Sequence, residues 1–283
     1  MAQVRIHAFA DEASPVMDEQ IRAMERNQLQ GLEIRGVDGI NVSDLTLEKA
    51  KEVRKKLDDH GLVTFSIGSP IGKIDIVRDD FRAHMDKLRH TLEIADVLGA
   101  SHIRMFSFYM PQNQDPSLFR GEVMDRLHEM AEAAKGSGIR LCHENEKGIY
   151  GDMAVRCREI LDEVPELGGI FDPANFIQCG QDTLEAWEML KDRIVYMHIK
   201  DAMPDGLVVP AGHGAGHVAE IVKSFLLQGG SCMTVEPHLA VFSGLNGLER
   251  EGEKSRLGRY TYSDSNAAFD AAVSALKEIL SGI

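Results

Sequence analysis

Short apolar runs and longer stretches of helical periodicity alternate eight times along this chain. The apolar runs begin near Val4, Gly31, Leu62, Ser101, Ile139, Gly169, Ile194 and Ser231. Runs of this length, bounded by polar residues, read as buried strands. Between them apolar positions recur every three or four residues. Phe81, Met85, Leu88, Leu92, Ala95 and Leu98 mark one buried helix face. Several boundaries are legible. Ser14 followed by Pro15 reads as an N-cap and a first helical residue. A second helix should run from about Thr46 to His60 and stop at Gly61. Leu127, Met130, Ala131 and Ala134 line a fourth before Gly136-Ser137-Gly138, and a last helix is expected from about Ser265 to Ile279.

Eight strand–helix units with no linker between them predict the α/β class and a closed (β/α)₈ TIM barrel, one domain over residues 1–283. An open doubly wound sheet would more often carry a glycine-rich dinucleotide turn after its first strand. Here that turn reads Ala8-Phe9-Ala10-Asp11-Glu12. Two segments break the rhythm and are expected as rim loops. One is 202–216, with Pro210-Ala-Gly-His-Gly-Ala-Gly216; the other is 239–263, with Glu249, Arg250, Glu251, Glu253 and Lys254.

Glu144, Asp172, His198 and Glu236 each fall at the end of one of four successive strand patterns. A parallel barrel delivers those ends to a single rim, so the four side chains are expected to converge. Three carboxylates and an imidazole suit a hard divalent cation: Mn²⁺, Mg²⁺ or Co²⁺, with Zn²⁺ as a further candidate. Asp172 can also be read as a turn cap before Pro173, and His198 as a core histidine.

Composition narrows the partners. The 283 residues carry a formal charge of −14, which disfavours a nucleic-acid partner. Cys142, Cys157, Cys179 and Cys232 show no CxxC spacing and read as reduced thiols. No apolar stretch approaches the roughly 20 residues needed to cross a bilayer, and the first residues enter a strand at once. A cytoplasmic protein with no membrane partner is the expectation.

Six motifs in order carry a resemblance. They are Gly31-Leu-Glu-Ile-Arg-Gly-Val-Asp-Gly39, Gly68-Ser-Pro-Ile-Gly-Lys73, His143-Glu-Asn-Glu-Lys-Gly-Ile-Tyr-Gly-Asp152, Phe171-Asp-Pro-Ala-Asn175, His198-Ile-Lys-Asp201 and Val235-Glu-Pro-His238. With them the chain resembles the xylose isomerase-like barrel superfamily of sugar phosphate isomerases and epimerases. The resemblance implies a divalent metal at Glu144, Asp172, His198 and Glu236, most readily Mn²⁺, with a small sugar or polyol lying across it. It also nominates Glu144 and Glu236 as the catalytic acid and base that move a proton beside a carbonyl through a metal-bound enediolate. A homodimer or homotetramer is expected on the resemblance alone.

Arg35, Lys73, Arg104 and Lys200 each lie just past a different strand and are candidates for substrate oxygens. Ion pairs with Glu33, Asp75, Glu146 or Asp201 are the plainer reading of the same residues. Glu33 either services the far end of the substrate or fixes Arg35. Asn145 should orient a metal ligand or the substrate, and Asn175 joins the substrate-binding candidates. His7, Glu12, Ser107, Tyr109, His143 and His238 are candidates for the pocket wall. Gly68-Ser-Pro-Ile-Gly-Lys73 looks like a phosphate loop but is a residue short, with Ile74 where the cation-binding Ser or Thr belongs. His213 and His217 are spaced for a metal on a helix, yet the glycines around them favour a flexible loop near the substrate.

An aldose–ketose isomerase or ketose epimerase is the leading expectation. A dehydratase or lyase acting on an inosose, a dehydroshikimate-like compound or a 3-keto-glycoside would use the same site. An endonuclease IV-like phosphodiesterase would need more strand-end histidines and a basic surface. A non-catalytic sugar-binding barrel would have lost ligands that this chain keeps.

Overall fold

Eight parallel strands close on themselves in the computed structural model, which describes residues 4–242 and 260–283. They are β1 (Arg5–Ala8), β2 (Gly31–Ile34), β3 (Val63–Ile67), β4 (His102–Met105), β5 (Arg140–Glu144), β6 (Gly168–Phe171), β7 (Ile194–Ile199) and β8 (Cys232–Val235). Every strand begins within one residue of its sequence-based position. Each pairs with its neighbour in sequence, and β1 closes the ring on β8 with Ala8 opposite Val235. The expected (β/α)₈ barrel is therefore the fold. The rim loop 239–263 lies for the most part outside the described residues, with Glu249, Arg250, Glu251, Glu253 and Lys254.

The helices are α1 (Met17–Arg26), α2 (Leu47–Asp59), α3 (Phe81–Leu98), α4 (Arg120–Ala134), α5 (Ala154–Glu163), α6 (Pro173–Gln178), α7 (Thr183–Leu190), α8 (Val218–Leu227) and α9 (Ser265–Ser281). Their caps explain their bounds. Thr46 Oγ1 accepts from the Lys49 N–H at the start of α2, and Asp80 accepts from the Arg82 and Ala83 N–H groups at the start of α3. Gly99, left-handed at φ 72°, ends α3. The first helix differs from expectation. Ser14-Pro15 does not open it; α1 starts at Met17, whose N–H is taken by Asp38 Oδ1 at 2.9 Å. A carboxylate from the loop after β2 does the capping, so no local signal marks the start.

Strand alternation separates two interiors. Outward residues such as Leu32, Ile67, Ile103, Leu141, Met197 and Val235 pack with the helix faces of Ile21, Leu88, Leu127, Ile160, Ile221 and Phe269 in one apolar shell. Inward residues form a separate small cluster of Phe65, Cys142, Ile170, Tyr196 and Cys232. Beside it, His7 stacks on Phe65 with ring centroids 4.7 Å apart, and Phe65 meets Tyr196 edge-on at 5.1 Å. Barrels of this kind usually fill that space with branched aliphatic side chains. Here the lumen is aromatic and polar, and it supports the rim from below.

Candidate metal centre

The rim is built by strand ends. Glu144 closes β5, Asp172 follows β6, His198 lies in β7 and Glu236 follows β8. One donor atom from each lies within 4.8 Å of all the others, and all four residues are buried. The four expected ligands therefore do converge. His198 Nδ1 is 2.8 Å from Glu144 Oε1 and 3.6 Å from Glu236 Oε2. Lys200 Nζ lies between two of the acids, 3.0 Å from Asp172 Oδ2 and 3.1 Å from Glu236 Oε2.

Asp172 takes the capping role and also stands in the converging set. Its Oδ1 accepts from the Asn175 N–H at 2.9 Å and caps α6, with Pro173 in the first turn. Its backbone is clamped to Asn145: the Asp172 N–H donates to Asn145 Oδ1, and Asn145 Nδ2 donates back to the Asp172 carbonyl, both at 2.9 Å. Asn175 Nδ2 donates to the Asn145 carbonyl at 2.9 Å and reaches Glu144 Oε1 at 3.5 Å. Asn145 and Asn175 thus knit two of the candidate ligands together, the kind of arrangement that can hold metal-site geometry. Asp172 Oδ2 is left over. It is enclosed and within ion-pair distance of Lys200, yet it takes no hydrogen bond of acceptable geometry.

The electrostatics point the same way. Burial, with Glu236 and Glu144 nearby, pushes the Asp172 carboxyl up to about 8 in spite of Lys200. Burial also acts to raise Glu236, but Lys200, His238 and His198 outweigh it and hold that carboxylate well below its usual range. Burial alone would lower His198; Glu144 and Glu33 overcome it and keep the imidazole well above its ordinary value. A set of crowded acids in which one buried oxygen is answered only by the Lys200 ion pair can take further positive charge. It fits a hard divalent cation.

The surrounding cations are all matched, mostly by partners other than the expected ones. Arg35 makes a two-point pair with Asp11, at 2.9 and 3.0 Å, and also reaches Glu12 at 3.0 Å and Glu236 at 3.3 Å. Its guanidinium is sandwiched between Phe9 and Phe242, 4.5 and 4.7 Å from their ring centres. Arg104 Nη1 is 3.2 Å from Glu144 Oε2, and Nη2 donates to the Gly68 carbonyl at 3.2 Å; its enclosed Nε has no hydrogen-bond partner among the described residues. Lys73 pairs with Glu146 at 3.2 Å, as expected. Lys200 pairs with the acids of the cluster instead of Asp201.

Glu33 neither reaches the open rim nor binds Arg35. It lies beneath His198, with Oε2 3.0 Å from His198 Nε2 and Oε1 accepting from the Tyr196 hydroxyl at 2.9 Å. Asp11, Tyr196 and Phe9 escaped the sequence reading. Phe9 continues the inward alternation of Arg5 and His7, which is the signal that could have found it. Glu12 and His238 do join the site. The His238 N–H donates to Glu12 Oε2 at 2.6 Å, and its ring stands 3.6 Å from Glu236 Oε1. Those two glutamates and His238 form a second acidic group, but Arg35 already occupies the same oxygens. His143 points elsewhere, bonded to Ser107 at 2.9 Å.

Two glycine-rich segments turn out to be internally committed. The N–H groups of Gly212, Gly214 and Gly216 all donate to the Asp201 carboxylate, each at 2.9 Å. A Cβ on Gly214 would sit 2.3 Å from the Ala202 carbonyl oxygen, so this loop needs its glycine. It is a tied loop and not the flexible one expected. His217 bonds Thr183 at 3.0 Å while His213 faces Tyr260, so the two histidines do not pair. In the other segment the Gly72 N–H donates to His84 Nε2 at 2.7 Å, and no phosphate cradle forms.

A closed parallel barrel with a carboxylate–histidine set at its C-terminal rim is the class that fold and site define. The family model described as xylose isomerase-like TIM barrel matches residues 21–238, and the chain belongs to that family. Its fold is shared by a probable 3-DHS dehydratase of petrobactin synthesis from Bacillus anthracis, 16% identical, with TM-score 0.74 over 97% of this chain and 99% of that one. It is also shared by the 3-keto-D-glucoside 4-epimerase of E. coli, 15% identical, with TM-score 0.70 over 99% and 100%. An IolI protein with a bound zinc atom is 16% identical, with TM-score 0.72 over 98% of each chain. At these identities the likeness speaks for the fold alone. No curated protein matches the chain in sequence. Among the described residues, no helix is long and apolar enough to cross a membrane.

Proposed function

We propose that this protein is a divalent-metal-dependent enzyme that moves a proton beside the carbonyl of a small keto-sugar or polyol, as an isomerase or epimerase. The observation that carries this reading is the convergence of Glu144, Asp172, His198 and Glu236, with one enclosed carboxylate oxygen met only by the Lys200 ion pair. Those four residues would hold the cation, with Mn²⁺ the first candidate; the solved relative with a bound zinc atom supports a divalent ion in general. When bound, such an ion supplies Lewis acidity toward substrate oxygens.

The protein's own groups do the rest. Glu236, held ionised by Lys200, is suited to take a proton from carbon, and Glu144 is the partner that returns it. Arg104 lies near both, 3.2 Å from Glu144 and 3.9 Å from Glu236, and its unused Nε can donate to a substrate oxygen. Lys200, Lys73 and Arg35 are further donors that would exchange carboxylate partners for substrate oxygens, with Asn145 and Asn175 holding the ligands in place. Phe9 and Phe106 lie against the Arg104 guanidinium, each ring centre 5.0 Å from it, and help to fix its position. Loss of a β-hydroxyl after the same proton abstraction would make the protein a dehydratase, and the dehydratase among its structural relatives supports that second reading.

Proton exchange in D₂O tests both. Mn²⁺-loaded protein incubated with a panel of ketoses, inososes and 3-keto-glucosides should place deuterium beside the carbonyl, as followed by NMR. Glu144→Gln and Glu236→Gln should each slow exchange by about 10²- to 10⁴-fold. The product then separates epimer, isomer and enone. Exchange that persists in both variants would sink the assignment of the two glutamates.

A further inference from the structure

We infer that Glu33 is a positioning residue for the metal centre, holding His198 in the tautomer and orientation that turn Nδ1 toward the other three ligands. The inference rests on the reading of that cluster as a metal site. His198 has an acid on each side of its ring. Nδ1 faces Glu144 at 2.8 Å and Glu236 at 3.6 Å, both members of the converging set. Nε2 faces Glu33 at 3.0 Å, which is not a member. An imidazole that presents a lone pair at Nδ1 must carry its proton at Nε2, and that proton then donates to Glu33 Oε2. A histidine ligand backed by a carboxylate in this way has its ring orientation and its basicity set from behind.

Glu33 is itself held. Its second oxygen accepts from the Tyr196 hydroxyl at 2.9 Å, and that hydroxyl meets Ser66 Oγ at 3.0 Å. The side chains of Glu33 and His198 are both fully enclosed, with no solvent-accessible area. Phe9 and Tyr196 meet the imidazole edge-on at 5.1 and 5.5 Å, which leaves the ring little room to rotate. A carboxylate enclosed at this depth is costly unless its hydrogen bonds satisfy it. Alternation along β2 and into the residue that follows it sends both Glu33 and Arg35 inward, with Glu33 one layer below the rim. That layer is where the barrel would ordinarily place a branched aliphatic residue.

The test is metal binding, measured apart from turnover. The metal-free protein, Glu33→Gln and Tyr196→Phe would be titrated with MnCl₂ by calorimetry and with CoCl₂ by visible absorption, alongside thermal midpoints of the metal-free forms. Glu33→Gln keeps the shape and a hydrogen-bond acceptor but removes the charge. It should bind Mn²⁺ about 10- to 100-fold more weakly than the wild type and shift the Co²⁺ bands. Tyr196→Phe, which frees the other oxygen, should show a smaller loss in the same direction, and it carries the test if Glu33→Gln does not fold. Wild-type affinity and an unchanged Co²⁺ spectrum in the variants, with only the thermal midpoint lowered, would make Glu33 structural. That result would overturn the inference and leave the metal site standing. Failure of the wild type to bind either ion would instead remove the metal reading and this inference with it.

Discussion

The apolar shell between strands and helices and the polar lumen inside the ring are made by the same strands. They follow opposite rules. In the shell, Leu32, Ile103 and Met197 meet helix residues such as Leu88 and Phe269, and many pairings of similar volume would serve. In the lumen and at its rim the polar groups meet particular partners: Glu33 meets Tyr196 and His198, Arg35 meets Asp11, Glu12 and Glu236, and Asn145 meets Asp172. The shell stabilises by area removed from water, which is non-directional. The lumen and rim spend part of that stability on enclosed charges whose directions matter. The barrel separates the work of staying folded from the work of holding a reactive site, on alternate residues of one strand.

The comparison is sharpest if the two faces can be broken independently. The largest expected effect is in the shell. Leu88, fully buried in α3, should cost about 2–5 kcal/mol on Leu88→Ala, read by urea unfolding, with Mn²⁺ affinity unchanged. A matching loss of metal affinity would show that shell and site are coupled after all.

The next effect concerns the shell's own buried imidazole. His84 accepts from the Gly72 N–H, and burial lowers its pKa to about 4 from the 6.5 expected when unfolded. The unfolded chain therefore binds the proton more readily. Stability from this group is fully present above pH 6.5 and is lost as the pH falls toward 4. The whole drop is on the order of 3 kcal/mol. His7 and His143, lowered to about 4 and about 3, add slopes in the same direction. His84→Gln should flatten only part of the decline between pH 6.5 and 4, measured by denaturant midpoints. An unchanged slope would mean that His7 and His143 carry the acid sensitivity instead.

The smallest effect is at the surface of the shell. Asp80→Ala removes the cap of α3 and should cost about 1 kcal/mol, with no change in metal affinity or proton exchange.

How legible each region was in the sequence follows from the same physics. Strand positions and helix faces were readable because burial imposes a period on neighbouring residues. The four candidate ligands were readable because a parallel barrel sends consecutive strand ends to one rim, so strand-end placement alone predicts convergence. Partner choice was not. Arg35 was read as a substrate contact or as the partner of Glu33, two residues away, but the two lie in different layers and Arg35 meets Asp11 from the loop after β1. The start of α1 was misplaced because its cap, Asp38, arrives from another unit.

What this sequence determined by itself is the order of elements, the closed barrel they form and the acids and histidine that reach its rim. Each of these depends on local periodicity and on chain connectivity. Only the tertiary structure decided which carboxylate answers which cation, that one Asp172 oxygen caps α6 while the other meets Lys200, and that Glu33 backs His198. Those choices are settled by height and direction within a shared lumen, where residues far apart in sequence compete for the same few ångströms.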